Sequence, residues 1–141
     1  MLHYLWPIFM VVGANTLYNI AAKSTPAEVN SFASLTVAYL VAAAASLGMF
    51  FATSQTKNLP AELGKTNWTS LAFGLTVVAL EFGYINIYRA GWKVSIGSLV
   101  ANITLACILL LVGVLVYKEA VSLRQIIGVV VCAVGLFLMS K

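Results

Sequence analysis

Five long apolar stretches, separated by short polar segments, confine this chain to a membrane. A helix that crosses a bilayer needs about 20 mostly apolar residues, and each stretch comes close to that length. The stretches run from about Tyr4 to Ala22, Ser31 to Thr53, Trp68 to Tyr88, Val94 to Tyr117 and Leu123 to Met139. Because lipid offers the backbone no hydrogen-bond partners, we expect these segments to be helices and not open strands.

The composition agrees with a bilayer as the solvent. Of the 141 residues, 62% are hydrophobic and 9% are charged, whereas a soluble domain carries roughly 25% charged residues. A chain of this size cannot bury so much apolar surface within its own volume. We therefore expect a single membrane domain over residues 1–141, an all-α transmembrane five-helix bundle. The expected location is a bacterial plasma (inner) membrane, which the chain crosses several times.

The polar connections carry signals for helix starts. These are Thr25 with Pro26 and Glu28, Ser122 with Gln125, and Asn67. The first two sets have the spacing of a capping box, in which a hydroxyl and an acidic or amide side chain satisfy free backbone N–H groups. Thr25 is thus predicted to cap the second helix and Ser122 the fifth. The connection 54–67 is interpreted as a long polar loop whose last residue, Asn67, caps the third span.

The basic residues are divided evenly between the two sides of the membrane. Five spans place Lys57, Lys65, Lys118 and Arg124 on one side and Lys23, Arg89, Lys93 and Lys141 on the other. Orientation normally follows an excess of Lys and Arg on the cytoplasmic side, and here there is none. Either the balance is chance, or copies insert in both orientations and pair antiparallel. Inverted copies would give a transporter two mirrored ways of opening a central site.

Glu81 is an acidic residue inside the third apolar stretch. It lies roughly 4–5 Å from the bilayer centre, where a charge costs at least about 2.5–3.5 kcal/mol. We therefore expect it to face a cavity and to accept a proton or an organic cation. Tyr84 and Tyr88 follow at i+3 and i+7 on the same face, and aromatic rings favour cations. The alternative is a structural glutamate bonded to a neighbouring helix.

Two further spans carry polar stripes. The first span has Asn15, Tyr18 and Asn19, and the fourth has Ser95, Ser98 and Asn102. Side-chain amides can hydrogen-bond across helices for about 0.6–2 kcal/mol, so these residues either join helices or line the same cavity as Glu81. In the fifth span, Gly128, Cys132 and Gly135 form a stripe of small residues, which lets helices approach closely. The stripe is predicted to be a dimer contact, with packing inside the chain as the alternative.

Several chemistries have no residues to support them. The chain contains one histidine and no aspartate, and its sequence has no phosphate-binding loop, nucleophile elbow or metal-ligand cluster. Neither an enzyme nor a cofactor is therefore expected. A net charge of +4 spread over the connections forms no patch for nucleic acid.

Two segments resemble the EamA-like repeat of the drug/metabolite transporter superfamily. GVLVYKEAVSLRQIIGVVVCAVGLFLMSK (113–141) looks like the end of such a repeat, with Glu119, Gln125, Gly128 and Gly135 fitting its pattern. VVGANTLYNIAAKSTP (11–26) is similar to its first helix. Most members of this kind have ten spans in two inverted halves. The resemblance therefore implies one half of an inverted-repeat transporter fold, working as an antiparallel dimer.

The resemblance extends distantly to the small multidrug resistance transporters, which work as antiparallel dimers. Their coupling residue is a glutamate in the first helix, and the matching position in this chain is Asn15. That departure implies either that Glu81 has taken over the role or that transport is uncoupled from protons.

The sequence as a whole predicts a membrane transporter of a small organic solute, such as a metabolite, an amine or a drug-like cation. It is expected to work by alternating access as an antiparallel, dual-topology homodimer in contact with lipid. Substrate-binding candidates are Asn15, Tyr18, Asn19, Glu81, Tyr84, Tyr88 and Asn102. The alternatives are a heterodimer with a sister chain of opposite charge bias, and a membrane scaffold that transports nothing.

Overall fold

A computed structural model describes residues 2–139, and all the regular secondary structure in this range is helical. The helices are α1 (Leu2–Ser24), α2 (Ser31–Thr53), α3 (Leu59–Leu63), α4 (Trp68–Arg89), α5 (Val94–Leu115) and α6 (Leu123–Met139). Four of them, α1, α2, α4 and α5, are long and apolar enough to cross a membrane, and α6 is a shorter apolar helix. The predicted all-α transmembrane fold is confirmed.

The connection 54–67 is not the simple loop that its polarity suggested. It contains α3, a five-residue helix. The Asn58 Oδ1 atom accepts a hydrogen bond from the Ala61 N–H at 3.3 Å, and Pro60 stands in the first turn, where a missing N–H does no harm. The Lys65 ammonium contacts the Glu62 carboxylate at 2.6 Å. Local capping is therefore enough to order one helical turn outside the apolar spans.

The predicted cap of α2 at Thr25 is wrong. The cap is Asn30, whose Oδ1 atom accepts hydrogen bonds from the N–H groups of Phe32 at 2.9 Å and Ala33 at 3.4 Å. The Thr25 hydroxyl instead donates back to the Ala21 carbonyl at 3.1 Å, at the end of α1. An asparagine directly before the apolar run reaches the free N–H groups of the first turn, whereas Thr25 is too far from the run.

The other two predicted caps are confirmed. Ahead of α6, the Ser122 N–H donates to the Gln125 Oε1 atom at 2.8 Å, and the Gln125 N–H donates to the Ser122 Oγ atom at 3.4 Å. Ahead of α4, the Asn67 Oδ1 atom accepts from the Thr69 N–H at 3.0 Å. Both helices thus start where a side chain satisfies N–H groups that the helix itself leaves unpaired.

Hydroxyl groups inside the long helices bond to their own helix. Each donates to the backbone carbonyl four residues earlier. The residues are Thr16, Ser24, Thr36, Ser46, Thr53 and Thr76. This arrangement satisfies the hydroxyl proton without a partner helix, which matters in a solvent that cannot accept it.

The chain forms two compact units. The central unit runs from Ile20 to Arg89, and the terminal unit combines the residues up to Asn19 with those from Ala90 onward. In the central unit α2 packs on α4, and Leu35, Ile85 and Tyr88 of these two helices are buried. In the terminal unit α5 packs on α6.

Most large apolar side chains face outward. Trp68, Leu71 and Phe73 are each more than 70% exposed, and Ala22, Leu35, Ile85 and Tyr88 are the buried hydrophobic residues among those described. A soluble monomer rarely exposes apolar patches of such extent. The outward surface is therefore suited to lipid tails or to another protein chain.

Replacing the cap of α2 should lower stability. Asn30→Ala removes the acceptor of two N–H groups, and we expect the free energy of unfolding to fall by about 1 kcal/mol. Asn30→Asp should preserve it, since aspartate caps equally well. Denaturation of the purified protein in mixed detergent micelles, followed by circular dichroism, measures the difference.

The matched control is Asn86→Ala, because the Asn86 amide bonds only within its own helix, to the Phe82 carbonyl at 2.7 Å. If Asn30→Ala and Asn86→Ala unfold at the same denaturant concentration as the unaltered protein, the capping role of Asn30 is wrong.

Candidate functional site

Glu81 lies half-buried in α4, beside Tyr39 of α2. The Tyr39 hydroxyl is close enough to interact with the carboxylate, but the two do not reach the geometry of a full hydrogen bond, and the hydroxyl oxygen is shut off from solvent. A buried polar atom without a full partner is costly in a folded protein. The pair therefore marks a point where the central unit has unused hydrogen-bonding capacity.

The register of α2 on α4 brings Tyr39 to Glu81. Ser31, Leu35 and Tyr39 follow one another at intervals of four along α2, while Arg89, Ile85 and Glu81 do so in reverse order along α4. Ser31 bonds Arg89 at one end of this contact, and Tyr39 meets Glu81 at the other. Residues four apart share a helix face, so the two helices pair antiparallel along these stripes.

Tyr39 was not among the sequence candidates. It is the only tyrosine in the second apolar stretch, and it stands four residues after Leu35, on the buried face of α2. That spacing is the signal that could have identified it. The missing information was which helix packs against α2, because periodicity assigns a face to a residue but does not identify the neighbour.

Two predicted aromatic residues lie on the same helix as Glu81. The rings of Tyr84 and Tyr88 have centroids 6.3 Å apart and are tilted by 36°. Tyr84 is half-buried and Tyr88 is buried. The Lys23 Nζ atom lies 5.9 Å from the Tyr88 ring centroid and donates to the Tyr88 carbonyl at 3.4 Å. The face of Tyr88 thus already holds one of the protein's own cations.

Arg89 holds the end of α4 against the connection that leads into α2. Its Nη1 atom donates to the Ser31 Oγ atom at 2.8 Å. Its Nη2 atom donates to the carbonyls of Pro26 at 2.9 Å and Val29 at 2.6 Å. The planar fork of a guanidinium suits several acceptors at once. From the sequence, Arg89 was assigned only to the charge balance across the membrane, and its hydrogen-bonding role was not predicted.

The remaining substrate candidates belong to the terminal unit. Asn19 is buried, and its Nδ2 atom donates to the Asn15 carbonyl at 2.7 Å and to the Asn15 Oδ1 atom at 2.8 Å. Tyr18 is half-buried, and Asn102 is exposed. The Asn102 Nδ2 atom donates to the Ser98 carbonyl at 2.8 Å. The seven candidates therefore fall into two groups: Glu81, Tyr84 and Tyr88 in the central unit, and Asn15, Tyr18, Asn19 and Asn102 in the terminal unit.

An open groove of about 400 Å³ runs between α5 and α6. Its walls are Asn102, Ile103, Ala106, Cys107, Leu110, Gln125, Gly128, Val129 and Cys132. Two of the three residues predicted to form a dimer contact, Gly128 and Cys132, line it, and Gly135 is exposed on the same helix. No charged residue is among its walls.

A second groove, of about 240 Å³, is lined by residues of α2 and α4 in the central unit. Its walls are Tyr39, Phe73, Gly74, Val77 and Val78. Tyr39 is also the residue that meets Glu81.

The described part of the chain contains no group of three or more His, Cys, Asp or Glu side chains able to hold a metal ion. The arrangement can thus bind a solute through one carboxylate, hydroxyl groups and aromatic rings.

Comparison with known proteins gives one match. A sequence model of the EamA-like transporter family covers residues 3–141. No curated protein matches significantly, and no solved structure does either.

Replacing Arg89 with a residue that forms fewer hydrogen bonds should weaken the attachment of the end of α4 and lower the stability of the protein. Arg89→Lys keeps the charge but cannot serve three acceptors in the geometry of the fork. We expect it to lower the free energy of unfolding by about 1 kcal/mol and Arg89→Ala by about 2 kcal/mol, since hydrogen bonds from charged donors are worth about 1.5–3 kcal/mol each and water replaces part of them here. Unfolding in mixed micelles gives both values.

Lys93→Ala is the control, because Lys93 precedes α5 and makes no side-chain capping bond. If the Arg89 variants are as stable as this control, the hydrogen bonds of Arg89 contribute nothing to the fold.

Proposed function

Because the chain belongs to the EamA-like transporter family, we propose that this multi-pass, non-enzymatic membrane protein moves a small organic solute. The solute is a metabolite, an amine or a drug-like cation, and the working unit is an antiparallel homodimer that opens to each side of a bacterial inner membrane in turn. Family membership covers the class of protein. Glu81 supports the choice of solute, and the charge balance supports the mode of assembly.

The position of Glu81 gives the proposal its main support. It lies roughly 4–5 Å from the middle of its span, where a carboxylate costs at least about 2.5–3.5 kcal/mol. Within the described part of the chain the one ion pair is Lys65 with Glu62, so Glu81 has no basic partner. A cationic solute or a proton supplies the missing compensation. Binding and release of either one gives Glu81 a role in every transport cycle.

The aromatic residues around Glu81 favour an organic solute over a bare inorganic ion. Tyr39 meets the carboxylate from α2, and Tyr84 follows Glu81 by one helical turn in α4. Phenol rings attract cations through their faces and give apolar area for stacking, while their hydroxyl groups can bond to polar atoms of the solute. An inorganic cation would instead require several oxygen ligands.

The antiparallel dimer rests on two features. Five crossings would place four basic residues on each side of the membrane, so that charge favours neither orientation. In addition, Gly128 and Cys132 line an uncharged groove between α5 and α6, where small side chains let another helix approach closely. A second copy in the opposite orientation would complete the inverted-repeat arrangement that many transporters use.

Removing the charge of Glu81 should abolish coupled transport. Glu81→Gln keeps the size of the side chain but cannot pair with a cation or carry a proton. We expect uptake into proteoliposomes to fall at least about tenfold, since a loss of about 1.4 kcal/mol in solute binding weakens the affinity tenfold. The solute for the assay is the one that most raises the unfolding temperature in a screen of amines and metabolites. Uptake is measured with and without a pH gradient.

Glu62→Gln is the matched control, since Glu62 is a half-buried carboxylate of α3 that lies outside the long spans. Full uptake by Glu81→Gln, with its dependence on the pH gradient unchanged, would remove Glu81 from the mechanism.

A change in the charge balance should stop transport by either of two double variants alone. Transport should return when the two double variants are expressed together. Lys57→Gln with Lys65→Gln leaves two basic residues on one side against four on the other, and Lys93→Gln with Lys141→Gln does the reverse. Each double variant is expected to insert in one orientation and to transport less than about a tenth as well as the unaltered protein, and the two co-expressed should regain activity. Reporter fusions to the C-terminus show the orientation.

The unaltered protein should show the C-terminus on both sides in similar amounts. A reporter signal from one side alone would exclude the dual-topology homodimer and point to a sister chain as the partner.

A further inference from the structure

The groove between α2 and α4 and the residue Glu81 share one neighbour, Tyr39. Gly74, Val77 and Val78 line the groove, and Glu81 follows Gly74 by seven residues, which places it on the same face of α4. Tyr39 connects the two parts, because it lines the groove and also meets the carboxylate. Tyr39 therefore stands between an apolar groove and a carboxylate near the bilayer centre, although Glu81 itself is not among the walls of the groove.

We propose that this groove and Glu81 form one binding site for a small amphipathic organic cation. The ammonium group pairs with the Glu81 carboxylate and bonds the Tyr39 hydroxyl, and the apolar body lies against Phe73, Gly74 and Val78. This inference rests on the proposed function and adds to it the position and the chemical class of the solute.

The size of the groove limits the solute. Its volume of about 240 Å³ is below the roughly 300–1,000 Å³ of pockets for drug-sized ligands. An alkyl chain of a few carbons or a single ring fits such a space, whereas a large polycyclic cation does not. The site therefore favours small primary amines over the larger drug-like cations that the family class also allows.

Charge complementarity selects a cation over the other possible occupants. A lipid tail fills an apolar groove but brings no hydrogen-bond donor to Glu81 and leaves its charge uncompensated. A primary ammonium has three donors, enough for the carboxylate and the Tyr39 hydroxyl together. A zwitterionic solute would need a basic side chain to pair with its own carboxylate. The residues that line this groove include no basic side chain.

The test fills the groove without touching Glu81. A Cβ atom added at Gly74 meets nothing within 4 Å, so Gly74→Leu can place its side chain in the groove without a backbone clash. Gly83→Leu is the matched control, because a Cβ atom at Gly83 also meets nothing within 4 Å and nine residues turn the helix to about the opposite face. Val78→Phe fills the same groove from a second position.

The probes are ethylammonium and hexylammonium, and their binding to the protein in lipid nanodiscs is measured by titration calorimetry. Gly74→Leu and Val78→Phe should weaken hexylammonium binding at least tenfold and change ethylammonium binding less than twofold. Glu81→Gln should weaken both probes at least tenfold. Tyr39→Phe should weaken both while preserving the preference for hexylammonium, and Gly83→Leu should change neither. Unfolding temperatures near that of the unaltered protein establish that each variant is folded.

Three results would overturn the inference. The first is equal hexylammonium binding by the unaltered protein and both folded groove variants, which would mean that the tail enters ordinary lipid. The second is loss of dimer in Gly74→Leu, which would assign the groove to a second copy. The third is unchanged binding of both probes by Glu81→Gln. If transport still depends on Glu81 while the groove variants behave like Gly83→Leu, the proposed function stands and this site does not.

Discussion

A lipid bilayer offers a polypeptide no hydrogen-bond partners, and the structure follows from how each polar group meets that constraint. Backbone groups pair within helices. The Thr36 hydroxyl and the Asn102 amide carry protons, so each can donate to a carbonyl of its own helix. An ionised carboxylate can only accept hydrogen bonds. The carbonyl groups of a helix are acceptors as well, so they cannot bond to it. Glu81 therefore has to find its partner outside its own helix.

The apolar stretches were sufficient to predict the long helices, because a spanning segment must be helical whatever its neighbours are. Capping was predictable where the capping residue stands directly before its helix, as with Ser122 and Asn67. It failed at Thr25, where a matching spacing lay too far from the apolar run, and Asn30 holds that position. A capping motif thus predicts a helix start reliably only when the apolar pattern begins immediately after it.

The candidate site was less predictable than the fold. Glu81 and the spacing of Tyr84 could be read from one helix, since both facts concern a single stretch of chain. Tyr39 and the hydrogen bonds of Arg89 depend on the register between α2 and α4, which hydropathy does not encode. The two grooves show the same limit. The walls of one come from α5 and α6, and the walls of the other come from α2 and α4 and include Tyr39, so each groove depends on which two helices pack together.

The hydrogen bonds of Arg89 also have a mechanical consequence. They tie the end of α4 to the start of α2 and to the connection before it, while Lys23 ties the end of α1 to the same place. Glu81 lies eight residues from Arg89, about 12 Å along the helix. Because the hydrogen bonds of Arg89 hold α2 and α4 together at one end, the two helices separate at Glu81 by moving apart at their other ends. The two helices then rotate about Arg89. A small rotation there gives the largest displacement at the helix ends farthest from Arg89.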